Sequence, residues 1–538
     1  MQPTQAAERS GRHAFLVGAG ILLSRIVGLV RQYVFSHYFG LRSDAADAFN
    51  QAFRIPNFLQ NLFGEGVLSA SFIPIYSRLL AEGDEEESGR VAGAVAAILA
   101  VVASALVLLG VLATPLFIDA IAPGFHGAKR ELAIRIVRIL FPGAGLLVMS
   151  AWCLGILNSH RKFFLSYTAP VVWNFAMIGV LAFFGRRMAE PALAVTLAWG
   201  SVAGSALQLG VQLPEVLRLV RRLRVRLDTR SGSVREAIRN FVPVFFSRGV
   251  VQISAFVDGM LASPLPTGAV TGLANAQTLY TLPVSLFGMS VSAAELPAMS
   301  SALGDEAQVA VQLRRRLNAG LRQIAFFIVP SAMAFLALGD VVAGFVFQSG
   351  KFQHQDALYV WGVLAGSAVG LLASTLGRLY SSTYYALRDT RTPLRFAVIR
   401  VALTTALGYI CALWLPGWLG IDRRWGVAGL TASAGVAGWV EFTLLRRALN
   451  RRIGRTGLPA KLVASLWASA GVAAAAAWGI KLALGPHNPR LVGIAVLIPY
   501  GVAYFSVTYM MRIEESARAL TRIAKLLSRG NRRASGSS

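Results

Sequence analysis

Apolar stretches recur along almost the whole chain, and the polar segments between them are short. A helix that crosses a bilayer needs about 20 mostly apolar residues. The hydropathy pattern therefore predicts an all-α protein with about 14 membrane-spanning helices. The predicted spans lie at roughly 13–37, 46–76, 90–120, 132–158, 163–185, 190–214, 237–262, 268–300, 318–347, 356–386, 395–415, 424–446, 460–484 and 490–512.

Proline interrupts some of these predicted spans, at Pro56 and Pro74 in the second and at Pro283 and Pro297 in the eighth. A break in a transmembrane helix frees backbone hydrogen-bonding groups. Such groups are tolerated where the helix is buried in protein or lines a water-filled cavity. The interrupted spans therefore indicate an internal cavity within the membrane.

The composition agrees with this pattern. Hydrophobic residues make up 55% of the chain and charged residues only 14%, with a mean hydropathy of +0.57. A soluble protein usually carries about 25% charged residues, because its surface faces water. The chain has too little charge for such a surface, so we predict an integral membrane protein.

Positive charge is in excess and unevenly placed. The 52 Lys and Arg against 26 Asp and Glu give a net charge of +26, which in a soluble protein would suggest a nucleic-acid partner. Here the basic residues cluster after even-numbered predicted spans, at 218–239, 314–316, 388–395, 446–461 and 518–533. Cytoplasmic loops of membrane proteins carry such an excess. The pattern predicts cytoplasmic N- and C-termini, contacts with anionic membrane lipids and no nucleic-acid partner.

The chain also contains an internal repeat. The segment 69–74 returns as 292–297, and Ser24-Arg25 returns as Ser247-Arg248, both 223 residues later. Because six predicted helices separate the copies, both copies begin on the same side of the membrane. This arrangement predicts two parallel six-helix lobes around a central cavity, which suits alternating access.

The repeat and the charge pattern together define the predicted domains. A further pair of loops, 158–162 and 388–392, matches at an offset of 230. The predicted domains are an N-lobe at 1–222, a C-lobe at 223–452, helices 13 and 14 at 453–512, and a basic cytoplasmic tail at 513–538.

Residues for metal or covalent chemistry are sparse. The two cysteines, Cys153 and Cys411, lie in separate apolar runs, and the 6 histidines are scattered without an HxxxH pair. The chain has no GxxxxGK phosphate-binding loop followed by Ser or Thr. These features predict no metal site, no cofactor and no enzymatic activity.

Ionisable residues occur inside predicted spans, where each costs about 2.5–3.5 kcal/mol on insertion scales. They include Arg25, Arg31, Asp47, Arg54, Glu65, Arg248, Asp258, Glu295, Arg378 and Glu441. Salt bridging or snorkelling accounts for such residues near helix ends. Arg25 and Arg248 are deep and are repeat mates, and two arginines facing one cavity would match phosphate oxygens. These charges predict a transporter of an anionic, phosphorylated substrate.

Several short motifs are more specific. The first two spans contain SRIVGLVR at 24–31, DAF at 47–49, RIPN at 54–57, FGEG at 63–66 and FIP at 72–74. Later motifs are APGF at 122–125, GILN at 155–158, FQSGKF at 347–352 and DTRTP at 389–393. In this order and over nearly the whole chain, they resemble the MurJ (MviN) family of lipid II flippases. That family lies within the multidrug/oligosaccharidyl-lipid/polysaccharide exporter superfamily.

The resemblance implies a function and a mechanism. Such a flippase moves a lipid-linked peptidoglycan precursor from the inner to the outer leaflet of the bacterial cytoplasmic membrane by alternating access. The pyrophosphate would lie on arginines of a cationic cavity, and the polyprenyl tail would follow a groove of helices 13 and 14. Membrane potential or a monovalent ion, rather than ATP, would drive transport. Cell-wall synthesis proteins would be partners.

The resemblance also assigns roles to residues. Arg25 and Arg31 match helix 1 arginines of the family, and Arg54 stands at a position that is basic there. Asp47 and Glu65 match acids of helix 2. The predicted substrate-binding residues are Arg25, Arg31, Arg54, Asn57 and Arg248, and the predicted cavity or gating acids are Asp47, Glu65 and Glu295.

Two positions depart from the family pattern. Gln60 stands where the family often has another arginine, and Gln277-Thr278 stands where it often has an Asp-Arg pair. We hypothesise that Arg248 supplies the replacement charge in the second lobe. The alternatives are export of another polyprenyl-linked glycan and a non-transporting membrane scaffold for wall synthesis. Deep arginines disfavour export of cationic drugs, because like charges repel.

Overall fold

We describe the chain from a computed structural model. The structure describes residues 3–63, 67–68, 71–228, 231–300, 305–485 and 487–518. Within these ranges, the backbone alone is described at 3–19, 21, 243–244, 246–255, 297–298 and 306. Over the described residues the fold is all-α, with one isolated β-bridge between Ser349 and Phe352. The predicted fold class is confirmed.

Contacts divide the chain into two compact units. Unit 1 comprises Met1–Ala274 and the turn Ser349–Phe352. Its helices are α1 (Pro3–Phe39), α2 (Asp44–Ala52), α3 (Arg54–Phe63), α4 (Ile73–Glu82), α5 (Glu85–Leu112), α6 (Thr114–Ile121), α7 (Gly127–Ser159), α8 (Phe163–Phe184), α9 (Glu190–Leu219) and α10 (Gly232–Ala262).

Unit 2 comprises Asn275–Gln348 and Gln353–Ser538. Helix α11 (Ala269–Pro283) runs across the boundary between the units. The helices that follow are α12 (Ser290–Ser300), α13 (Glu306–Ala337), α14 (Gly339–Phe347), α15 (His354–Ala386), α16 (Arg391–Tyr409), α17 (Leu415–Trp418), α18 (Gly426–Ile453), α19 (Ala460–Leu484) and α20 (Pro489–Met510). The units follow from contacts in the structure, whereas the predicted lobes follow from the sequence repeat. The lobe limits therefore stay a prediction.

The long helices coincide with the predicted spans. Within the described residues, 11 helices are long and apolar enough to cross a membrane. They correspond to the third to sixth and the eighth to fourteenth predicted spans. The first, second and seventh spans include residues outside the described side chains. The multi-pass architecture is therefore confirmed, and the total of 14 spans stays a prediction.

The second predicted span begins as two short helices, α2 and α3, separated at Phe53. The Ser43 hydroxyl caps α2 by accepting a first-turn N–H at 3.2 Å, and Asp44 and Asp47 favour the positive end of the helix dipole. Pro56 lies in the first turn of α3, where its missing N–H needs no helical acceptor. The break leaves the Phe53 ring facing the interior of unit 1.

Two loops of the internal repeat share one backbone motif. Arg161 follows α7 and Arg388 follows α15, and both are left-handed, with φ of 59° and 58°. In each loop the N–H of the next residue donates to the carbonyl five positions back, at 2.8 Å to Leu157 and 2.9 Å to Tyr384. Aligning Arg161 with Arg388 gives a repeat offset of 388 − 161 = 227 residues. The predicted offset of 230 is wrong by three residues, because it matched Arg161 to Arg391 instead of matching the helix ends.

Candidate functional site

The Arg31 guanidinium of α1 packs on aromatic rings inside unit 1. Its Cζ lies 4.6 Å from the centroid of Phe53, and Phe53 stacks on Trp173 of α8 with centroids 5.3 Å apart. Its Nη1 lies 3.9 Å from Met177 Sδ. Its Nε is buried and has no hydrogen-bond partner among the described residues. A cation is attracted to an aromatic face, so this stack holds a positive charge that still has a free N–H.

Arg25 lies on the same helix, six residues before Arg31. The two residues are about 9 Å apart along the axis and about 240° apart around it. The Arg25 side chain is exposed and makes no hydrogen bond or ion pair with a described residue. Helix α1 therefore carries two guanidiniums without a carboxylate partner in the described part of the chain.

Arg54, at the start of α3, lies next to Asp258 of α10. The two side chains interact electrostatically, and the Arg54 guanidinium also lies against Gly259, where an added Cβ would meet Nη1 at 3.0 Å. Asp258 favours the interpretation of Arg54 as part of an internal ion pair. Asn57, three residues later, is half-buried and makes no hydrogen bond with a described residue. Substrate binding by Arg54 and Asn57 stays a prediction.

Asp47 of α2 is 1% exposed and lies in a saturated hydrogen-bond network. Its Oδ2 accepts from Lys129 Nζ at 2.8 Å and from the Gly268 N–H at 2.9 Å. Its Oδ1 accepts from the N–H and the hydroxyl of Thr271, at 2.8 and 2.7 Å. Four donors offset the desolvation of a buried carboxylate. Asp47 thus ties α2 to the first turns of α7 and α11, helix ends that the predicted topology places at the outer membrane surface.

A second network holds the turn Ser349–Phe352. The Lys351 ammonium lies 2.6 Å from Glu190 Oε1 at the start of α9, and the Ser43 hydroxyl donates to the other oxygen of Glu190. The Lys351 N–H donates to the carbonyl of His37 at 2.9 Å. The turn therefore contacts the end of α1 and the starts of α2 and α9, which the predicted topology also places outside.

In unit 2, three charged residues on neighbouring helices interact with one another. Arg400 of α16 pairs with Glu441 of α18 at 3.1 Å. Arg378 of α15 interacts electrostatically with both, yet its guanidinium makes no hydrogen bond or salt bridge with a described residue. Two guanidiniums and one carboxylate leave a positive charge uncompensated within predicted transmembrane helices.

The other predicted site residues are placed less completely. Glu295 of α12 lies 3.5 Å from Arg316, in a half-exposed ion pair. Arg248 lies on α10, but its side chain lies outside the described residues, as does the whole of Glu65. Replacement of the charge missing at Gln277-Thr278 by Arg248 therefore stays a prediction. In the part of the chain that the structure describes, no group of three or more His, Cys, Asp or Glu could hold a metal ion.

The partners in these networks carry weak sequence signals. Phe53 and Trp173 are apolar residues in apolar spans, and their separation of 120 positions hides the ring stack against which Arg31 packs. Gly268 and Thr271 reach Asp47 largely through backbone N–H groups, which no side-chain motif reveals. Among these partners, Lys129 is the one that the sequence could have suggested as a partner of an acidic residue, because it is a basic residue in a predicted outer loop.

Comparison with solved structures defines the class of this fold. A multidrug resistance MATE family transporter of the MOP superfamily, in an inward-facing conformation, aligns with a TM-score of 0.66 and 18% identity, covering 80% of this chain and 95% of its own. A lipid II flippase MurJ in an inward closed conformation aligns with a TM-score of 0.77 and 23% identity, covering 92% and 98%. The fold is that of MOP-superfamily transporters.

Sequence comparison identifies the family within that class. The family model for "Lipid II flippase MurJ" matches residues 35–498. The lipid II flippase MurJ of Burkholderia cenocepacia is 30% identical over 447 residues, which cover 82% of this chain and 84% of that protein. The chain therefore belongs to the lipid II flippase MurJ family, a family of membrane transporters rather than enzymes. The resemblance seen in the sequence motifs is confirmed.

Proposed function

We propose that this protein moves lipid II from the inner to the outer leaflet of the bacterial cytoplasmic membrane. Its relatives are named lipid II flippases. Its own arginines suit a cargo that carries phosphate. The observation that carries the proposal is the pair Arg25 and Arg31, whose guanidiniums have no carboxylate partner among the described residues. A planar guanidinium binds phosphate oxygens through two parallel hydrogen bonds, and the lipid II pyrophosphate supplies such oxygens.

Transport proceeds by alternating access. The pyrophosphate enters from the cytoplasmic side and binds the α1 arginines, while the polyprenyl tail stays in lipid along the thirteenth and fourteenth predicted spans, α19 and α20. The Asp47 and Lys351 networks keep the outer end closed at this stage, and both must release before the headgroup can leave outward. No covalent bond is made or broken, so the protein lowers the barrier by replacing the hydration of the headgroup with protein contacts.

The orientation and the driving force are part of the proposal. Both termini lie in the cytoplasm, because the basic loops follow even-numbered spans. The membrane potential, or a monovalent ion moving with its gradient, drives the cycle. Cell-wall synthesis proteins on the outer side use the delivered lipid II. The predicted loops on that side are short, which leaves the outer surface of the protein accessible to such partners.

A complementation experiment tests this function. A bacterium depleted of its own lipid II flippase is given the wild-type chain, Arg31→Gln or Arg423→Gln, with membrane levels compared by immunoblot. Arg423 is an exposed arginine of a loop in unit 2, so its variant is a matched loss of charge. We expect growth with the wild type and Arg423→Gln, and lysis with Arg31→Gln. Lysis with a well-expressed wild type would overturn the proposal.

One observation favours a second candidate, the transport of a different polyprenyl-linked glycan. Gln277-Thr278 lacks the charged pair that is frequent in the family, and the change removes a cationic contact from α11. A binding comparison separates the two functions: purified protein is titrated with lipid II and with polyprenyl pyrophosphate that carries an unrelated glycan. At least tenfold tighter binding of lipid II supports the first function, and the reverse order supports the second.

A further inference from the structure

We propose that Arg378 binds an anionic oxygen group on the headgroup of the transported lipid. This role rests on the proposed function and adds a binding residue in unit 2. The shared chemistry is a phosphate or carboxylate oxygen, and lipid II offers both in its pyrophosphate and its peptide.

The surroundings of Arg378 form a polar face between helices. Arg378 lies eight residues before the end of α15, about 12 Å from that end along the axis. Ser374 lies one turn earlier on the same face, and its hydroxyl is 2.7 Å from the hydroxyl of Tyr280 on α11. Arg400 and Glu441 adjoin from α16 and α18. Hydroxyls and a guanidinium from different helices therefore converge on one place.

The charge balance of this face calls for an anion. Glu441 is 13% exposed and already pairs with Arg400 at 3.1 Å. Arg378 therefore has no carboxylate of its own among the described residues, although it is exposed to an incoming ligand. An uncompensated charge within a membrane-spanning helix is expensive, and such residues mark substrate pathways. A phosphate or carboxylate oxygen would compensate it, with Ser374 and Tyr280 as neutral donors.

The backbone near this face is unusual as well. The segment Val284–Met289 has π-helical geometry directly after Pro283. Gly288 approaches Thr375 of α15 so closely that an added Cβ would lie 2.4 Å from Thr375 Cγ2. Single π turns within helices occur frequently at functional sites. This one holds α11 and its continuation against α15, one turn from Arg378.

Gln277 of α11 lies one turn before Tyr280 on the same face of the helix, whereas Thr278 is about 200° from Tyr280 around the axis. Tyr280 contacts Ser374, and Ser374 adjoins Arg378. Gln277 is therefore the position of α11 that shares the Tyr280 face with this pair of hydroxyls.

The test measures binding of two probes to purified protein in nanodiscs of neutral lipid: lipid II and undecaprenyl pyrophosphate, which has no peptide. The variants are Arg378→Gln and, as a matched loss of charge, Arg423→Gln. We expect Arg378→Gln to weaken lipid II binding about tenfold and Arg423→Gln to stay within twofold of the wild type. Equal weakening for both probes assigns the contact to phosphate, and weakening for lipid II alone assigns it to a peptide carboxylate.

A compensating substitution separates binding from a structural role. Adding Gln277→Arg to Arg378→Gln should restore part of the affinity, because Gln277 lies one turn before Tyr280 and an arginine there returns a cation to the same polar face. Arg378→Gln that binds lipid II as tightly as Arg423→Gln would overturn the inference and leave the proposed function standing. If Arg378→Gln fails to fold, Arg378→Lys replaces it. Arg378→Lys should bind a few-fold more weakly because it lacks the planar fork, and wild-type affinity would overturn the inference.

Wild-type protein that binds neither probe would overturn the proposed function, and this role with it. Wild-type protein that binds undecaprenyl pyrophosphate but not lipid II would overturn only the proposed cargo. In that case the role of Arg378 is decided by one comparison, which is whether Arg378→Gln binds undecaprenyl pyrophosphate more weakly than the wild type does.

Discussion

The Tyr504 hydroxyl of α20 donates a hydrogen bond of 2.7 Å to the backbone carbonyl of Phe326 in α13. Pro330 lies four residues after Phe326 and has no N–H, so this carbonyl has no donor within its own helix. A carbonyl without a donor is costly inside a membrane protein, where water does not replace the donor. Helix α20 thus completes the backbone hydrogen bonding of a proline-containing helix in the same unit.

Removing this hydroxyl should therefore destabilise the fold. Tyr504→Phe leaves the buried carbonyl unsatisfied, and we expect the free energy of unfolding to fall by about 1–3 kcal/mol. Thermal unfolding in detergent measures the change. Tyr509→Phe is the matched control, because Tyr509 is 56% exposed on the same helix. Equal melting temperatures for the two variants would contradict this role of Tyr504.

Asp47→Asn should loosen the predicted outer end. The amide has one acceptor oxygen in place of two, so its NH2 group would face either the donors Lys129 and Gly268 N–H or the two donors of Thr271. Ala269→Cys, at a position that is 1% exposed, reports the loosening in a background without the native cysteines. We expect a membrane-impermeant maleimide to label it about tenfold faster in Asp47→Asn.

The control for this experiment is Asp119→Asn, which removes an exposed ion pair with Arg130. Its labelling rate should match that of the parent protein. An unchanged rate in Asp47→Asn would show that the Asp47 network does not hold the outer end closed.

Asp389, between α15 and α16, makes a pH-dependent contribution to stability. Burial alone would raise its pKa, but hydrogen bonds from Thr392 and the ion pair with Arg452 at 2.7 Å outweigh burial and lower the pKa to about 2. The folded pKa lies below the unfolded value of about 3.9, so the carboxylate stabilises the fold above that pH and loses this effect as the pH falls toward 2. Asp389→Asn should therefore be destabilised by about 0.5–2 kcal/mol near neutral pH.

Thermal unfolding across pH checks this prediction. The difference between wild type and Asp389→Asn should be constant from about pH 7 to 5 and should shrink toward pH 3. Glu131→Gln, at an exposed position, should show little difference from wild type at any pH. A difference for Asp389→Asn that grows as the pH falls would contradict the predicted sign.

Arg388→Gly should stabilise the protein or leave it unchanged. Arg388 adopts φ 58°, where a side chain costs about 1–2 kcal/mol and glycine does not. The gain is reduced by the greater freedom of glycine in the unfolded chain. Arg391→Gly is the matched control, because it removes the same charge from the first turn of α16 and should lower the melting temperature. Equal losses in the two variants would contradict the strain at Arg388.

The membrane-spanning helices could be predicted from hydropathy, because the bilayer imposes a length and an apolar character that are visible locally. The segment 460–484 was predicted and observed with the same limits. The interruption of the second span was predicted at Pro56, whereas the helix breaks three residues earlier, at Phe53. Where a helix breaks depends on packing from distant helices, which local hydropathy does not contain.

The charged residues could be predicted but their partners could not. Arg31 stands out in an apolar span, whereas Phe53 and Trp173 do not. Asp47 was predicted as a gating acid from the family resemblance, but its saturation by Lys129, Gly268 and Thr271 depends on tertiary structure. The gating role itself stays a prediction. The charges inside the predicted spans are therefore visible in the sequence, whereas the groups that surround them must be found in the structure.

Lipid II movement in proteoliposomes tests the central claim most directly. Wild type, Arg31→Gln and Arg423→Gln are reconstituted with lipid II under an imposed membrane potential, and an impermeant enzyme reports lipid II that newly reaches the outer leaflet. We predict rapid exposure with the wild type and Arg423→Gln, and at least a tenfold slower rate with folded Arg31→Gln. Exposure by the wild type that is no faster than in protein-free vesicles would contradict the account.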